Sequence, residues 1–279
     1  MPYKTILVHI DESERSNFRV RVAAEIANKD EAHLVGTAVT GVSRFIYQDG
    51  NISANDPNLT IHLNYLRERA EKAVGNFKQQ AQASGVNSFE SMIANDEAGG
   101  GIGLLARYSD LVVIGQTNRD EPSPSVLPDF PEYLIMNSGR PILIIPYVGD
   151  FTTVGKRPLI AWDASRESTR AITDAIPMLR RADLVHVAIF NPKTVPDSHG
   201  EQPGADIALY LARHGIKVEV EVHKTSTDIG NALLSLAHDL DSDMLVMGGY
   251  GHSRFREMIM GGVTRTILQS MTVPVLMSH

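Results

Sequence analysis

Four glycines and a threonine near the end of the chain have types and a spacing that suit phosphate binding. In MGGYGHSRFREMIMGGVT they are Gly248, Gly251, Gly261, Gly262 and Thr264, with nine residues between the second and third glycines. Glycine lets a turn adopt positive φ and lets the backbone approach a ligand without an intervening Cβ atom. The second pair precedes a helical pattern at 263–271, and the free N–H groups of a helix start carry partial positive charge. The pattern predicts a phosphate site, although tight turns and helix packing also explain the glycines.

Arg254 lies three residues after Gly251 and is either a charge-assisted donor to the same phosphate or a solvated loop residue. The sequence motifs of common enzyme and metal sites are missing from the chain. It contains no G-x-S-x-G, no Walker lysine motif, and neither H-x-x-x-H nor H-E-x-x-H among its ten histidines. We therefore predict no catalytic residue and no dedicated metal ligand.

The glycine pattern belongs to the second of two copies of one strand–helix order. Each copy begins with an apolar run that ends in aspartate, KTILVHID at 4–11 and KRPLIAWD at 156–163. Each closes with a proline-containing strand, RPILIIPY in the first and VPVLMSH in the second. Strands that alternate with helices predict parallel βαβ units with helices on both faces of a buried sheet. We therefore expect two tandem doubly wound α/β domains, at 1–147 and 156–279.

The first copy differs from the second where the phosphate site is predicted. Gly115 matches the first glycine of the pattern, but Asn118 stands in place of the second. With the final strands aligned, Pro128, Asp129 and Pro131 stand where the second copy has its last two glycines and its threonine. Proline has no N–H to donate, and an aspartate repels phosphate. We expect the first copy to be a degenerate site or a structural partner.

These features resemble the universal stress protein family in its tandem two-domain form, over nearly the whole chain. The family motif is G-x-x-G, nine residues, then G-[S/T], usually followed by V-T, which Val263 and Thr264 match. Gly262 stands where the family usually has Ser or Thr, so one hydroxyl donor to phosphate is lost. The resemblance implies a five-stranded parallel sheet in each domain, in the order 3-2-1-4-5. It also implies that the last strands of the two domains pair within one chain, and it leaves a homodimer open.

The resemblance further implies which residues contact a nucleotide, because family members with this motif bind ATP. Asp163 matches the aspartate near the ribose, and Ala161 and Trp162 match residues that line the adenine pocket. Val187 matches a position whose backbone reads the adenine edge, and Met247 would lie against the nucleotide. Trp162 replaces the small or hydroxyl residues often found there, so it either stacks on adenine or crowds it.

Composition narrows the possible partners and location. The 279 residues carry 26 Lys and Arg against 33 Asp and Glu, for a net charge of −7. This balance disfavours sequence-independent binding to nucleic acid, which needs a positive field. Without cysteine, the chain has no disulfide, thiolate metal site or Cys nucleophile. We see no signal peptide and no apolar run long enough for a spanning helix, so we expect a cytoplasmic protein that does not enter the membrane.

The leading hypothesis is an ATP-binding stress-response protein that senses or regulates through nucleotide occupancy. Its second domain would hold one ATP or ADP, with Mg²⁺ carried by the phosphates, and hydrolysis would be slow or absent. One alternative is an ATP-hydrolysing enzyme of the adenine-nucleotide hydrolase-like group. Another is an interaction module that holds a lipid or a sugar nucleotide, with 41–65 and 119–133 as its binding segments.

Overall fold

The computed structural model describes residues 1–42, 57–121, 123–192, 202–251 and 262–279. Within these residues the chain forms two compact units, Pro2–Arg140 and Pro141–His279, with Met1 counted in the second. The division falls just before the last strand of the first copy, whereas the predicted domain boundary lies in the segment that follows this strand.

The first unit contains four strands and four helices in strict alternation. In chain order they are β1 (Thr5–His9), α1 (Ser16–Asp30), β2 (His33–Val39), α2 (Pro57–Ala83), β3 (Phe89–Ala94), α3 (Ala98–Ala106), β4 (Leu111–Gly115) and α4 (Phe130–Asn137). The strands pair in parallel in the order β3-β2-β1-β4. In register, Val8 of β1 lies between Gly36 of β2 and Val113 of β4.

The second unit contains the remaining six strands and four helices. They are β5 (Ile142–Ile145), β6 (Pro158–Ala161), α5 (Arg166–Leu179), β7 (Val185–Phe190), α6 (Ala205–Arg213), β8 (Val218–His223), α7 (Ile229–Asp239), β9 (Met244–Gly248), α8 (Gly262–Ser270) and β10 (Val275–Ser278). Strands β8-β7-β6-β9-β10 are parallel neighbours, which is the order 3-2-1-4-5 within the second copy. The predicted fold class is confirmed.

The last strands of the two copies pair antiparallel, as the family resemblance implied. Ile144 of β5 lies opposite Val275 of β10, and Ile142 lies opposite Met277. All four residues of each strand are buried. The pairing hides the outer edge of β10, which would otherwise expose unpaired backbone groups.

Local sequence explains why the helix that follows β6 starts where it does. The Ser165 side chain caps α5 by accepting a hydrogen bond from the Ser168 amide at 3.1 Å. The apolar positions Ala171, Ile172 and Ala175 then recur on one face and are buried. The capped start of α5 therefore lies at the carboxyl end of β6, at the sheet edge where the site is predicted.

The two copies differ most in the helix between their second and third strands. Helix α2 has 27 residues and its counterpart α6 has 9, and both are followed closely by a positive-φ glycine, Gly85 and Gly215. The helical pattern predicted α2 from residue 62, but the helix begins at Pro57, because proline is well tolerated in the first helical turn. The first half of α2 thus has no helical counterpart among the described residues of the second copy.

We expect Gly36→Ala to lower the free energy of unfolding by roughly 1–3 kcal/mol, the usual cost of overpacking a core. A Cβ at Gly36 would lie 2.6 Å from the ring of Phe77, which α2 buries against the sheet. Urea unfolding followed by circular dichroism measures the change.

Gly75→Ala is the matched control, because Gly75 lies in α2 and, beyond the neighbouring backbone of its own helix, no atom of the described residues lies within 4 Å of its Cβ position. Alanine favours helix over glycine by about 1 kcal/mol, so this variant should be as stable as the parent or more stable. Equal destabilisation by both substitutions would contradict the assigned contact.

Candidate functional site

Three segments of the second copy meet at the carboxyl ends of β6 and β9: the β6–α5 turn, the turn after β9, and the start of α8. In the first, Asp163 Oδ1 accepts hydrogen bonds from the Ser165 amide at 3.0 Å and from its hydroxyl at 2.6 Å. Ala164 between them adopts a left-handed conformation with φ of 60°. These two hydrogen bonds hold the turn in place. The Asp163 side chain is exposed, so its carboxylate is accessible to a ligand.

The turn after β9 requires glycine because α5 approaches it closely. A Cβ at Gly248 would lie 2.6 Å from the Ser168 amide nitrogen and 2.7 Å from the Glu167 carbonyl carbon. Both are backbone atoms, so neither moves aside cheaply. The first glycine of the motif is therefore needed for packing, whether or not a ligand binds. At Gly248, helix packing therefore explains the glycine, which is the alternative to phosphate binding that the sequence left open.

The start of α8 is joined to the turn after β9 by a hydrogen bond from a buried threonine. The Tyr250 amide donates to Thr264 Oγ1 at 3.3 Å, and Thr264 is 5% exposed. Gly262 begins α8 and is exposed, with Val263 half-buried beside it. Gly261 and Arg254 lie outside the described residues. The described part of the glycine motif thus forms one surface at the end of β9.

The residues expected around adenine differ in their accessibility. Ala161 and Trp162 are half-buried at the end of β6, where the Trp162 amide donates to the Ala188 carbonyl at 3.0 Å. Val187 lies in the middle of β7, paired with Ile160 on one side and with Val220 on the other, and is 1% exposed. Met247 is 5% exposed within β9. The accessible candidates are therefore Ala161, Trp162 and Asp163.

Glu167 is a residue of this surface that sequence reasoning missed. Its Oε2 lies 3.1 Å from the position a Cβ would take at Gly251, and its own Cβ lies 2.8 Å from that position at Gly248. The sequence signal is slight, because an acidic residue in the first turn of a helix is ordinarily a dipole-stabilising residue. Its placement puts a carboxylate beside the predicted phosphate site.

In the first copy, a buried arginine takes the place beside Gly115 that the α5 backbone takes beside Gly248. Arg19 Nη1 lies 2.5 Å from the Cβ position of Gly115. Its Nε donates to the His9 carbonyl at 2.6 Å, and its Nη2 lies 3.0 Å from Asp11 Oδ1. Burial alone would raise the pKa of Asp11, but the Arg19 guanidinium and the Ser13 hydrogen bonds hold that pKa well below its usual range. The aspartate that corresponds to Asp163 is thus neutralised internally.

The loop after β4 also differs as the sequence indicated. Thr117 Oγ1 donates to the Pro128 carbonyl at 3.0 Å. Asp129 occupies the N-cap position of α4, and Pro131 stands in its first turn. The start of α4 therefore presents the carboxylate of Asp129 and lacks the N–H that Pro131 cannot supply. At the corresponding place, the start of α8 has Gly262 and Thr264. Whether the first copy binds a nucleotide stays a prediction.

Comparison with known proteins agrees with this architecture. A model of the universal stress protein family matches residues 2–146 and 156–279, which is nearly all of the chain. The chain belongs to the universal stress protein family. The two matched segments correspond to the two copies of the strand–helix order.

Individual relatives of this universal stress protein are distant. Universal stress protein Slr1230 of Synechocystis sp. (strain ATCC 27184 / PCC 6803 / Kazusa) is 28% identical over 145 residues, which cover 52% of this chain and 49% of that protein. The match thus spans about half of the relative. The crystal structure of a universal stress protein from Archaeoglobus fulgidus DSM 4304 covers 98% of this chain and 95% of its own, with 16% identity and a TM-score of 0.75. A universal stress protein solved in complex with cAMP covers 52% of this chain and 98% of its own, with 20% identity and a TM-score of 0.40.

Two further findings concern the described residues alone. They contain no group of three or more His, Asp or Glu residues arranged to hold a metal ion. No helix among them combines the length and the apolar character that crossing a membrane requires.

We expect Gly248→Ala to lower the melting temperature of this universal stress protein by several degrees, because its methyl group would clash with the backbone of Glu167 and Ser168. Differential scanning fluorimetry without ligand measures the shift.

Gly262→Ala is the control, since outside its own helix the nearest atom of the described residues to its Cβ position is Asp228 Oδ1 at 3.9 Å. Its melting temperature should match the parent. A Gly248→Ala protein that melts with the control would refute the packing role.

Proposed function

We propose that the second domain of this universal stress protein binds one adenine nucleotide, ATP or ADP, and that occupancy regulates the protein. The observation that carries the proposal is the Tyr250–Thr264 hydrogen bond, which holds the start of α8 against the glycine turn. A helix start beside a glycine turn, at the carboxyl ends of parallel strands, is where open α/β sheets bind phosphates. Family membership supports the same site.

In this proposal each accessible residue has one role. Asp163 receives the ribose hydroxyls, because its Oδ1 is held by Ser165 and its side chain is exposed. Ala161 and Trp162 contact adenine, while Val187 and Met247 contribute from the buried sheet. Gly248, Gly251, Gly262, Val263 and Thr264 form the phosphate surface, and Gly261 completes the motif in the sequence. Arg254 is a further candidate donor to the phosphate.

Glu167 makes this binding dependent on a divalent cation. Its carboxylate lies beside Gly251, where it repels a bare triphosphate. Mg²⁺ bound to the phosphates compensates this charge, and oxygen ligands from carboxylates and phosphates are those that Mg²⁺ prefers. We therefore propose Mg-ATP as the form that binds, with slow or no hydrolysis.

ATP hydrolysis is a second candidate function, and the placement of Glu167 is the observation that favours it. A carboxylate near the phosphates is a candidate general base for water. Binding with regulation remains the first proposal. The start of α8, the glycine turn after β9 and Asp163 are all suited to binding, whereas Glu167 alone is suited to hydrolysis.

We expect Gly262→Asp to weaken Mg-ATP binding at least tenfold while the fold is kept. An aspartate at the start of α8 repels the phosphates, and its favourable interaction with the helix dipole offsets its repulsion by the Asp228 carboxylate. Isothermal titration calorimetry of the parent should give one nucleotide per chain.

Gly262→Ser restores the hydroxyl usual in the family and should raise the affinity a few-fold. Unchanged affinity in the Gly262→Asp chain would remove the nucleotide from this surface.

We expect Glu167→Gln to tighten ATP binding roughly three- to tenfold without Mg²⁺, and less with it, because one like charge beside the phosphates is removed. Equilibrium titrations with and without Mg²⁺ measure this, and phosphate release measures turnover.

Glu219→Gln is the matched control, since Glu219 lies on the edge strand β8 with a side chain 62% exposed. Turnover that is present in the parent and lost only in Glu167→Gln would establish the hydrolytic function instead.

A further inference from the structure

One peptide unit of the glycine turn after β9 is held by hydrogen bonds on both of its sides. The carbonyl of Gly249 lies 3.0 Å from Nδ1 of the His279 ring. The amide of the next residue, Tyr250, donates to Thr264 Oγ1 at 3.3 Å. Because the C=O and the N–H of a trans peptide lie in one plane and point in opposite directions, the two contacts fix the same plane. The His279 ring is thus linked, through one peptide, to the contact that joins the turn to α8.

The backbone conformation of Tyr250 depends on these two contacts. Its φ of 55° lies in the left-handed region, which a bulky residue with a Cβ atom rarely adopts. A rotation of the Gly249–Tyr250 peptide that turns its N–H away from Thr264 would return this φ to the negative range. The same rotation would turn the Gly249 carbonyl towards the start of α8, and the partial negative charge of its oxygen repels phosphate. The two contacts therefore oppose a peptide flip that would damage the proposed phosphate surface.

The backbone that carries the His279 ring is itself fixed by β9 and α5. The Gly249 amide donates to the Ser278 carbonyl at 2.9 Å, which continues the parallel pairing of β9 with β10. From α5, Arg170 Nη1 donates to the His279 carbonyl at 3.0 Å, and Asp174 Oδ2 accepts from the Ser278 hydroxyl at 2.8 Å. The half-buried ring is therefore placed in advance, before any ligand binds.

The contact with Gly249 determines which ring nitrogen of His279 carries a proton. A carbonyl oxygen only accepts hydrogen bonds, so Nδ1 must be protonated and must donate. In a neutral imidazole this defines the Nδ1–H tautomer and leaves Nε2 without a proton. The tautomer of His279 is thus an observable property of this contact and does not require a bound nucleotide.

The first copy has a different residue at the position of His279. With Pro141 aligned with Pro274, Pro146 stands in its place. Proline has no side-chain donor, so it cannot hold the corresponding peptide by its carbonyl. The histidine therefore follows the last strand of the copy that has the glycine motif, and the proline follows the last strand of the copy whose motif is broken.

We propose that His279 is a positioning residue of the nucleotide site in the second domain. Its Nδ1–H holds the Gly249–Tyr250 peptide so that the Tyr250 amide, and not the Gly249 carbonyl, faces Thr264 at the start of α8. The effect of His279 on nucleotide affinity rests on the proposed function, whereas its effect on the glycine turn does not.

Two variants separate the donor from the bulk of the ring. Asparagine carries its amide nitrogen at the same δ position as Nδ1 of histidine, so His279→Asn keeps a donor to the Gly249 carbonyl, and His279→Leu removes it. Isothermal titration calorimetry should show Mg-ATP binding weakened about five- to tenfold by His279→Leu, because one hydrogen bond is lost, and about twofold or less by His279→Asn. His238→Leu, at an exposed position in the last turn of α7, is the matched control and should bind as the parent does.

Two NMR measurements on the protein without nucleotide test the contact directly. The nitrogen spectrum of the neutral His279 ring should show the proton on Nδ1. The Tyr250 amide should exchange with solvent roughly tenfold faster in His279→Leu than in the parent or in His279→Asn. The Gly249 amide is the internal reference, since its bond to the Ser278 carbonyl does not involve the ring, and it should exchange as in the parent.

The proposal is overturned if the neutral ring carries its proton on Nε2, or if His279→Leu leaves the Tyr250 amide unchanged or accelerates the Gly249 amide equally. It is also overturned if His279→Leu binds Mg-ATP as the parent does, or if His279→Asn loses as much affinity as His279→Leu. A parent chain that binds no nucleotide overturns the proposed function alone, because the ring tautomer and the amide exchange still decide the role of His279 in the turn.

Discussion

Each copy depends on a close approach to the glycine that ends its fourth strand. At Gly248 the backbone of α5 fills the space that a side chain would need, and at Gly115 the guanidinium of Arg19 fills it. The same constraint, no Cβ atom at this point, is thus met by two different partners. A close-packed interior admits no extra carbon atom without a shift of its neighbours. The absence of a side chain at each glycine therefore allows α5 to pack on Gly248 and Arg19 to pack on Gly115.

The choice of partner decides the chemistry of each copy. Where backbone packs on Gly248, the strand-end acid Asp163 stays exposed and the start of α8 faces the turn, which leaves an open polar surface. Where Arg19 packs on Gly115, it draws Asp11 into a buried ion pair, and burying an arginine without such a partner would be costly. The second copy leaves its strand-end acid exposed, whereas the first copy pairs the corresponding acid with its own arginine.

The acids near the two sites act in opposite ways. Glu167 places negative charge beside the glycine motif, without a salt bridge to a basic side chain in the part of the chain that the structure describes. In the first copy, Asp11 is instead paired with Arg19, and Glu12 is paired with Arg69 and approached by Lys72. Two domains with one topology and the same strand-end aspartate thus differ through charges that belong to their helices.

The amino-acid sequence by itself determined the repeat, the fold class, the family and the glycine motif, because periodicity and short motifs depend on residues close together in the chain. It also showed that Pro128, Asp129 and Pro131 break the motif in the first copy. Only the tertiary structure brought Glu167 to Gly251 and Arg19 to Gly115, since helix and strand end are distant in sequence and meet through sheet pairing. The position of α2 likewise depends on how the helix packs on β2 and β3, which its helical pattern does not specify.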